Sequence, residues 1–198
     1  MKSVNVQTKR QEQKVQTRQR ILDTAFRLYS TGGFSVPTNR IAQEAGISHG
    51  AVFVHFPTRE ALQLQVLKRF TREMGNKLHD LSKTGAGIRE LLHAHILILE
   101  EYESFYKNLI SEISALPDGT KTMLLSLHSM TSYHFDAVFR REKRRGRIKD
   151  IPLHMLFNTW LGLLHYYLQN SELFAPKKSV LKRRKDELVN TFVSLIAR

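Results

Sequence analysis

The sequence predicts an all-α protein, and three observations support that fold class. Apolar residues recur at three- and four-residue intervals along most of the chain, which is the spacing of one helix face. No run of alternating apolar and polar residues competes as a β-strand. Near the N-terminus, a glycine separates two short helical patterns, as in a helix-turn-helix. We therefore expect an N-terminal three-helix domain of the helix-turn-helix type, followed by a second helical domain.

The first helix is predicted over Gln19–Ser30, where apolar residues form a stripe one face wide. Thr17 is a candidate N-cap, and Gly32-Gly33 ends the helix. Residues 1–16 are polar and rich in Lys and Arg. Two interpretations of that stretch stay open: a disordered tail, or a basic arm that reaches DNA phosphates or a minor groove.

The two short helices lie within Thr38–Phe56. Thr38 is predicted to cap the first of them, and its apolar positions begin at Ile41. Gly46 allows a tight turn. Ser48 is predicted to cap the second helix, which runs to Phe56. In a helix-turn-helix this second helix lies in the DNA major groove, so DNA binding is the leading hypothesis.

The rest of the chain is predicted to be helical. Pro57-Thr58 marks the start of a longer helix that reaches about His79, and a Gly/Ser/Thr-rich break at Ser82–Gly87 indicates a domain boundary. We expect an arm over residues 1–16, a DNA-binding domain with its connecting helix over 17–80, and a second domain over 85–198. Further helices are expected over residues 88–102, 105–116, 120–145, 152–169 and 180–197.

Composition narrows the function classes. The 198 residues contain 31 Lys and Arg against 18 Asp and Glu, a formal charge of +13 that favours a polyanionic partner such as DNA, RNA or an anionic membrane. No cysteine, secretory signal or membrane-spanning run is found, which predicts a soluble cytoplasmic protein. The sequence has no phosphate loop, nucleophile elbow or HExxH motif, and its histidines lack ligand spacing. We expect neither an enzyme nor a metal site or cofactor.

One segment, Gly32–Leu62, resembles the DNA-binding domain of the TetR family of bacterial transcription regulators. The match lies in Gly-Phe after the first helix, Thr-x-x-Ile-Ala, Ala-Gly-Ile-Ser-x-Gly, the His-Phe that ends the second short helix, and a basic-acidic pair before Leu62. The resemblance covers about the first third of the chain. Beyond it, the chain is similar to the family only in its layout of further helices.

The resemblance implies roles for individual residues at the DNA. Ala51 and Phe53 replace a frequent Thr and a frequent Tyr of the family, which removes two hydroxyls, each worth about 0.5–1.5 kcal/mol in a hydrogen bond. Arg59 replaces the commoner Lys and keeps the charge. The implied backbone contacts are Thr38, Arg40, Ala51, Phe53, His55 and Arg59, the implied base readers are His49, Gly50 and Val54, and Asn39 and the capping Ser48 complete the predicted DNA-binding set.

In the second domain, the resemblance implies a small-molecule pocket and a dimer interface, whereas a solid core that serves dimerisation alone is the alternative. The last two long helices are expected to form a four-helix bundle with their twofold mates, with Trp160 and Leu164 at the interface. Aromatic, Met and His residues would suit a mostly apolar cavity. The candidate pocket residues are Phe105, Tyr106, Met123, Leu127, Met130, Tyr133, His134 and Trp160.

These expectations combine into a homodimeric regulator. We expect it to bind an inverted-repeat operator in double-stranded DNA, most simply as a repressor that is released by an apolar or amphipathic small molecule. Two other hypotheses stay open at this point. One is a basic architectural protein that binds nucleic acid without an effector, and the other is a helical protein that binds membrane surfaces.

Overall fold

The computed structural model describes residues 2–82 and 87–198, and within these ranges the chain is almost wholly helical, which confirms the predicted fold class. An isolated bridge between Ile148 and Ala197 ties the loop after the seventh helix to the C-terminus. The predicted break at Ser82–Gly87 lies mostly outside the described residues. The helices are α1 Lys2–Gly32, α2 Thr38–Glu44, α3 His49–His55, α4 Arg59–Ser82, α5 Ile88–Glu100, α6 Glu103–Glu112, α7 Asp118–Arg144, α8 Leu153–Gln169, α9 Ser171–Phe174 and α10 Val180–Ile196.

Helix α1 begins much earlier than the sequence predicts, at Lys2 rather than near Thr17. Residues 2–16 contain neither Gly nor Pro and are rich in Gln, Lys and Arg, which all have good helix propensity. Nothing in this stretch interrupts the helix, so Thr17 lies inside it. The polar N-terminal residues therefore continue the first helix instead of starting a separate element.

Helices α1, α2 and α3 pack around one small apolar core. Ile21 and Ala25 of α1, Ile41 of α2 and Val52 of α3 are all buried there, with Phe56 directly after α3. Complete burial of an aliphatic or aromatic side chain of this size contributes roughly 1.5–3 kcal/mol. This shared core fixes the angle between the two short helices.

The predicted N-cap is confirmed for α3 and wrong for α2. The Ser48 hydroxyl accepts a hydrogen bond from the Ala51 amide at 3.2 Å, as predicted for an N-cap. The prediction for Thr38 is wrong, because Pro37 occupies the N-cap position of α2 and Thr38 is its first helical residue. Gly46 turns the chain between the helices with φ of 63°, a left-handed value that L side chains rarely adopt.

The remaining helices form a second layer around an aromatic core. Helix α4 packs along α7, and α10 packs against both α5 and α8. The Trp160 ring lies 5.2 Å from the Phe192 ring, and Phe135 lies 5.4 Å from Phe157. None of the helices in the described ranges is both long enough and apolar enough to cross a lipid bilayer.

The structure contradicts the predicted position of two residues on α8. Trp160 and Leu164 are completely buried within the single protomer, so the prediction that they form a dimer interface is wrong. An apolar helix stripe does not reveal which neighbour covers it, and here α6, α7 and α10 do, with His95 of α5 bonded to Trp160. The face of α8 that remains exposed carries Met155, Thr159, Gly162 and Tyr166, at spacings of four, three and four residues.

The backbone between α1 and α2 is held by helix α6. The Glu112 carboxylate accepts the Phe34 amide hydrogen, with its two oxygens 3.2 and 3.1 Å from the nitrogen. The Asn108 amide donates to the carbonyls of Tyr29 and Ser30 at 2.8 and 3.0 Å, at the C-terminal end of α1. Helix α6 therefore satisfies backbone groups that the end of α1 leaves unpaired.

The carbonyl of Phe34 is bound from the other side by helix α4. Gln63 donates to it at 3.1 Å, and the Arg59 guanidinium donates to the same oxygen. We call the set Phe34, Asn108, Glu112, Arg59 and Gln63 the Phe34 joint. It links α6 of the second layer to the loop that leads into α2.

Replacement of Glu112 by Ala is expected to loosen the Phe34 joint. The buried Phe34 amide loses its acceptor, and hydrogen bonds to charged groups contribute about 1.5–3 kcal/mol. Amide hydrogen exchange at Phe34 and Val36 should accelerate at least tenfold, measured by NMR or mass spectrometry. The exposed carboxylate Glu172 offers a matched control, and Glu172→Ala should leave exchange at both amides unchanged. Equal exchange in Glu112→Ala and the wild type would contradict the assigned contact.

Candidate nucleic-acid interface

Helix α3 presents one face to the interior and the opposite face to solvent. Val52 is 1% exposed, whereas Val54 is 75% and Phe53 is 39% exposed. At Gly50 a Cβ would meet no described atom within 4 Å, so the surface there is open. The major groove of B-DNA admits an α-helix, and an exposed Val can contact a thymine methyl group there. The outward face contains the predicted base readers.

His49 is held at the N-terminal end of this face by two neighbours. Its Nε2 atom lies 2.9 Å from the Thr38 hydroxyl, at hydrogen-bond distance. Its ring meets the Phe53 ring edge to face, with 5.1 Å between centroids. The contact joins the N-terminal ends of α2 and α3, so the predicted base reader and a predicted phosphate contact lie side by side. His49 is thus oriented before any DNA arrives.

The first turn of α2 adds polar side chains next to His49. Asn39 and Arg40 are both exposed, and the Asn39 side-chain oxygen accepts the Arg40 amide hydrogen at 2.7 Å. Further along α2, Glu44 pairs with Arg27 of α1 at 2.8 Å, and this hydrogen bond is the main cause of the lowered pKa of Glu44. The Arg40 guanidinium makes no ion pair among the described residues and remains available for phosphate.

We call Arg10, Lys14 and Arg18, which lie four residues apart on α1, the basic stripe. The C-terminal end of α3 lies beside Lys14 and Arg18 of this stripe. Burial lowers the pKa of His55, and the nearby positive charges of Lys14 and Arg18 lower it further. The Arg18 guanidinium lies 5.0 Å from the centre of the Phe56 ring and donates to Gln65 at 3.1 Å. His55 therefore lies beside two cations, Lys14 and Arg18, which suits the approach of a phosphate backbone.

Sequence reasoning missed Arg18 as part of this surface. The available signal is the spacing of Arg10, Lys14 and Arg18, which are four residues apart and share a helix face once α1 extends through residues 2–16. With a helix start near Thr17, only Arg18 would have been placed on that helix. The position of Lys14 beside His55 also gives the basic N-terminal stretch a defined location next to α3.

Arg59 has a different environment from the one its predicted phosphate contact requires. Its side chain is half-buried, it donates to the Phe34 carbonyl, and its Nε atom is buried without a hydrogen-bond partner in the described structure. In this arrangement the guanidinium serves the Phe34 joint. A contact between Arg59 and DNA stays a prediction.

Two of the predicted pocket residues belong to a buried polar network. The Tyr106 hydroxyl lies 3.0 Å from Nε2 of His128 and 2.8 Å from Nε2 of His165. Because one hydroxyl proton serves two ring nitrogens, it donates to one histidine and accepts from the other, so the two rings carry different tautomers. Nearby, the Trp160 indole donates to Nδ1 of His95 at 3.0 Å.

Burial keeps these histidines neutral. Together with neighbouring histidines it lowers the pKa of His95 to about 3 and that of His128 to about 4. His128 and His165 contribute to the lowered pKa of His95, and His165 contributes to that of His128. Burial likewise lowers the pKa of His165 and raises that of Tyr106. This part of the second layer is a solid core with paired polar groups.

The other pocket candidates lie at separate places. Phe105 stacks on Phe26 at 4.5 Å, His134 lies near His79 with 6.1 Å between ring centroids, and Tyr133 is 78% exposed. Met123, Leu127 and Met130 line an open groove along α7. The structure therefore brings three of the eight candidates together. In the described part of the chain, no three His, Asp or Glu side chains are placed to hold a metal ion.

Comparison with known proteins identifies a domain in the region just described. Residues 21–66 match the family model of bacterial regulatory proteins of the tetR family. The HTH-type transcriptional regulator YerO of Bacillus subtilis is 37% identical over 71 residues, a match that spans 35% of this chain and 25% of that protein. The chain thus matches only a quarter of that relative's length.

Two further comparisons cover most of the chain. AcrR of Shigella flexneri, an HTH-type transcriptional regulator, is 23% identical over 193 residues, spanning 91% of this chain and 89% of that protein. A transcriptional regulator from Saccharomonospora viridis, solved in complex with choline, superimposes with a TM-score of 0.78 at 21% identity, covering 93% of this chain and 99% of that one. The structural similarity to the Saccharomonospora viridis protein shows that the two chains share a fold.

Substitution of His49 by Ala is expected to weaken binding to a selected DNA site about tenfold while binding to random duplex changes little. A group that reads bases contributes to discrimination, whereas phosphate contacts contribute to both. Competition gel shifts with the two duplexes measure the ratio. His154→Ala, which removes an exposed histidine of α8, should leave both affinities unchanged. An equal loss on both duplexes in His49→Ala would contradict base reading by His49.

Proposed function

We propose that the chain belongs to the TetR family of bacterial regulatory proteins and is a ligand-responsive, sequence-specific transcriptional regulator. The family is one of helix-turn-helix DNA-binding proteins without enzymatic activity. We further propose that the chain is a homodimer and a repressor, released from a palindromic operator by a small apolar or amphipathic effector. The observation that carries this proposal is the exposed face of α3, with His49 already oriented by Thr38.

We expect a dimer because an inverted-repeat operator is read by two recognition helices held at a fixed distance. A helix-turn-helix dimer reads two half-sites separated by about one DNA turn, roughly 34–36 Å. Helices α8 and α10 pack side by side in the protomer, and α8 leaves Met155, Thr159, Gly162 and Tyr166 exposed. Twofold pairing of these two helices would build a four-helix bundle with a small central residue, Gly162, that lets backbones approach closely.

Effector response requires a physical link between the second layer and α2–α3. The Phe34 joint supplies one, because α6 binds both the end of α1 and the loop into α2. A ligand that favours a different position of α6 or α4 changes the spacing of the two α3 helices. It then lowers DNA affinity by its own preference for that arrangement, typically about 1–3 kcal/mol.

The distribution of charge favours DNA over a membrane surface. Lys14 and Arg18 lie near His55 at the end of α3, and Arg40 lies in the first turn of α2, whose Thr38 contacts His49 at the start of α3. Cations thus flank both ends of the helix that is proposed to enter the major groove. A basic architectural protein would use the same cations, and the two hypotheses differ in the specificity ratio between selected and random DNA.

Selection of bound sequences from a random duplex pool tests the proposal. We expect enrichment of an inverted repeat with half-site centres about one helical turn apart. Titration of the enriched duplex and a scrambled duplex at two salt concentrations should give a large specificity ratio. Strong binding at low salt without any enriched sequence would contradict the proposal and favour the architectural protein.

Replacement of Gly162 by Glu is expected to convert the dimer into a folded monomer. The position is exposed and a Cβ there meets no described atom within 4 Å, so the protomer tolerates the change, whereas two facing carboxylates near a twofold axis repel. Light scattering measures the mass and circular dichroism the fold. Gly162→Ala serves as a matched control that stays dimeric. A dimeric Gly162→Glu protein would show that this face of α8 is not the interface.

A further inference from the structure

An open groove runs between α1, α4 and α7, with a volume of about 760 Å³. This volume lies in the range of sites for small molecules, roughly 300–1,000 Å³. Three of the pocket candidates from the sequence, Met123, Leu127 and Met130, form part of its wall. The lining divides into an apolar floor and a basic rim.

The floor of the groove is apolar and adaptable. Leu22 of α1 and Leu127 of α7 are buried, while Met123 and Met130 are half-buried between α7 and α4. Met130 lies close against α4, since a Cβ added at Gly75 would come within 2.7 Å of the Met130 methyl group. Unbranched thioether side chains adjust to ligands of different shape. Such a floor suits a flexible hydrocarbon chain.

The rim of the groove is basic. Arg18, Lys68, Arg69 and Arg72 line it, and the described lining residues include no carboxylate. Arg69 is neutralised from outside the groove by Asp23 and by Glu73, the latter at 2.8 Å. Arg18 is engaged by Gln65 and by the Phe56 ring.

Two cations of the rim remain for a ligand. Lys68 and Arg72 are exposed, lie four residues apart on one face of α4, and form no ion pair in the described part of the chain. A lysine and an arginine at this spacing can approach one anionic group together, and Arg presents a fork that matches a carboxylate or phosphate.

We propose that this groove binds a single-chain amphiphilic anion, with its carboxylate or phosphate head between Lys68 and Arg72 and its hydrocarbon chain on the Leu22, Met123, Leu127 and Met130 floor. An inorganic anion would leave the apolar floor exposed to water, and a neutral hydrocarbon would leave the two cations without a counter-charge. Only a ligand with both parts satisfies both surfaces.

Because of where the groove lies, a ligand bound there would affect DNA binding. This step rests on the proposed function. Helix α1 supplies the basic stripe and part of the core beneath α3, and α4 supplies Arg59 and Gln63 of the Phe34 joint. Helix α7 belongs to the second layer. A ligand in the groove contacts all three helices and so favours one arrangement of α1 and α4 relative to α7.

Direct binding to the DNA-free full-length protein tests the proposal. Isothermal titration calorimetry with decanoate and with decyl phosphate, each below its micelle concentration, should show saturable binding. The double variant Lys68→Gln/Arg72→Gln should weaken both anions at least tenfold and leave 1-decanol unchanged. The tighter of the two anions identifies the head group as carboxylate or phosphate.

Two further variants locate the site. Ser126 is exposed in the groove wall, so Ser126→Trp fills the groove without disturbing the core and should abolish binding of all three probes. Arg144→Gln removes an exposed cation near the far end of α7 and should change nothing. Circular dichroism confirms the fold of each variant.

Several results would overturn the proposal. These are no binding of either anion by the wild type, unchanged affinity in the double variant, retained binding in Ser126→Trp, or binding only to vesicles of anionic phospholipid. The experiments distinguish a failure of this proposal from a failure of the proposed regulator function. A protein that enriches an inverted repeat but binds no amphiphile refutes the groove alone, and one that binds decanoate but enriches no DNA sequence refutes the regulator alone.

Discussion

The arrangement of the helix-turn-helix on the rest of the molecule depends on the backbone of Phe34. Its N–H is bound by Glu112 of α6 and its carbonyl by two side chains of α4, while its ring stacks on Tyr29 at 4.9 Å. A buried backbone group that loses its partner costs about 1–3 kcal/mol. Movement of α6 or α4 therefore has to carry the loop into α2 along with it, which makes this loop the natural route from the second layer to α3.

The same constraint explains how one arginine is used. Arg59 is the residue that a family resemblance places at the DNA backbone, yet its guanidinium binds the Phe34 carbonyl. The positive charge near the C-terminal end of α3 is supplied instead by Lys14 and Arg18 of α1. The surface keeps its cationic character while Arg59 holds two structural layers together, so the positive charge beside α3 comes from residues that are far from α3 in sequence.

The sequence predicts local features well, but it does not predict which helices pack against each other. Gly46 and Ser48 specify the turn and the start of α3 through their own backbone and hydroxyl chemistry, and the structure agrees at both positions. Trp160 is different, because an apolar stripe on α8 fits an interface, a ligand pocket or the protomer core equally well. The packing of α10 decides among these, and that is a contact distant in sequence. Arg18 was missed because nothing local marks where α1 begins.

The two polar regions of the second layer differ in what a ligand would have to displace. Around Tyr106, hydrogen bonds to His128 and His165 satisfy a buried hydroxyl, and burial lowers the pKa of both histidines, which keeps the region uncharged. A ligand inserted there would break paired groups in a medium of low dielectric constant, where replacement is costly. At the groove, Lys68 and Arg72 have water as their alternative partner. An effector as proposed would therefore gain more by entering between α4 and α7 than by opening the core, and its binding energy would act directly on α4, the helix whose Arg59 and Gln63 bind the Phe34 carbonyl.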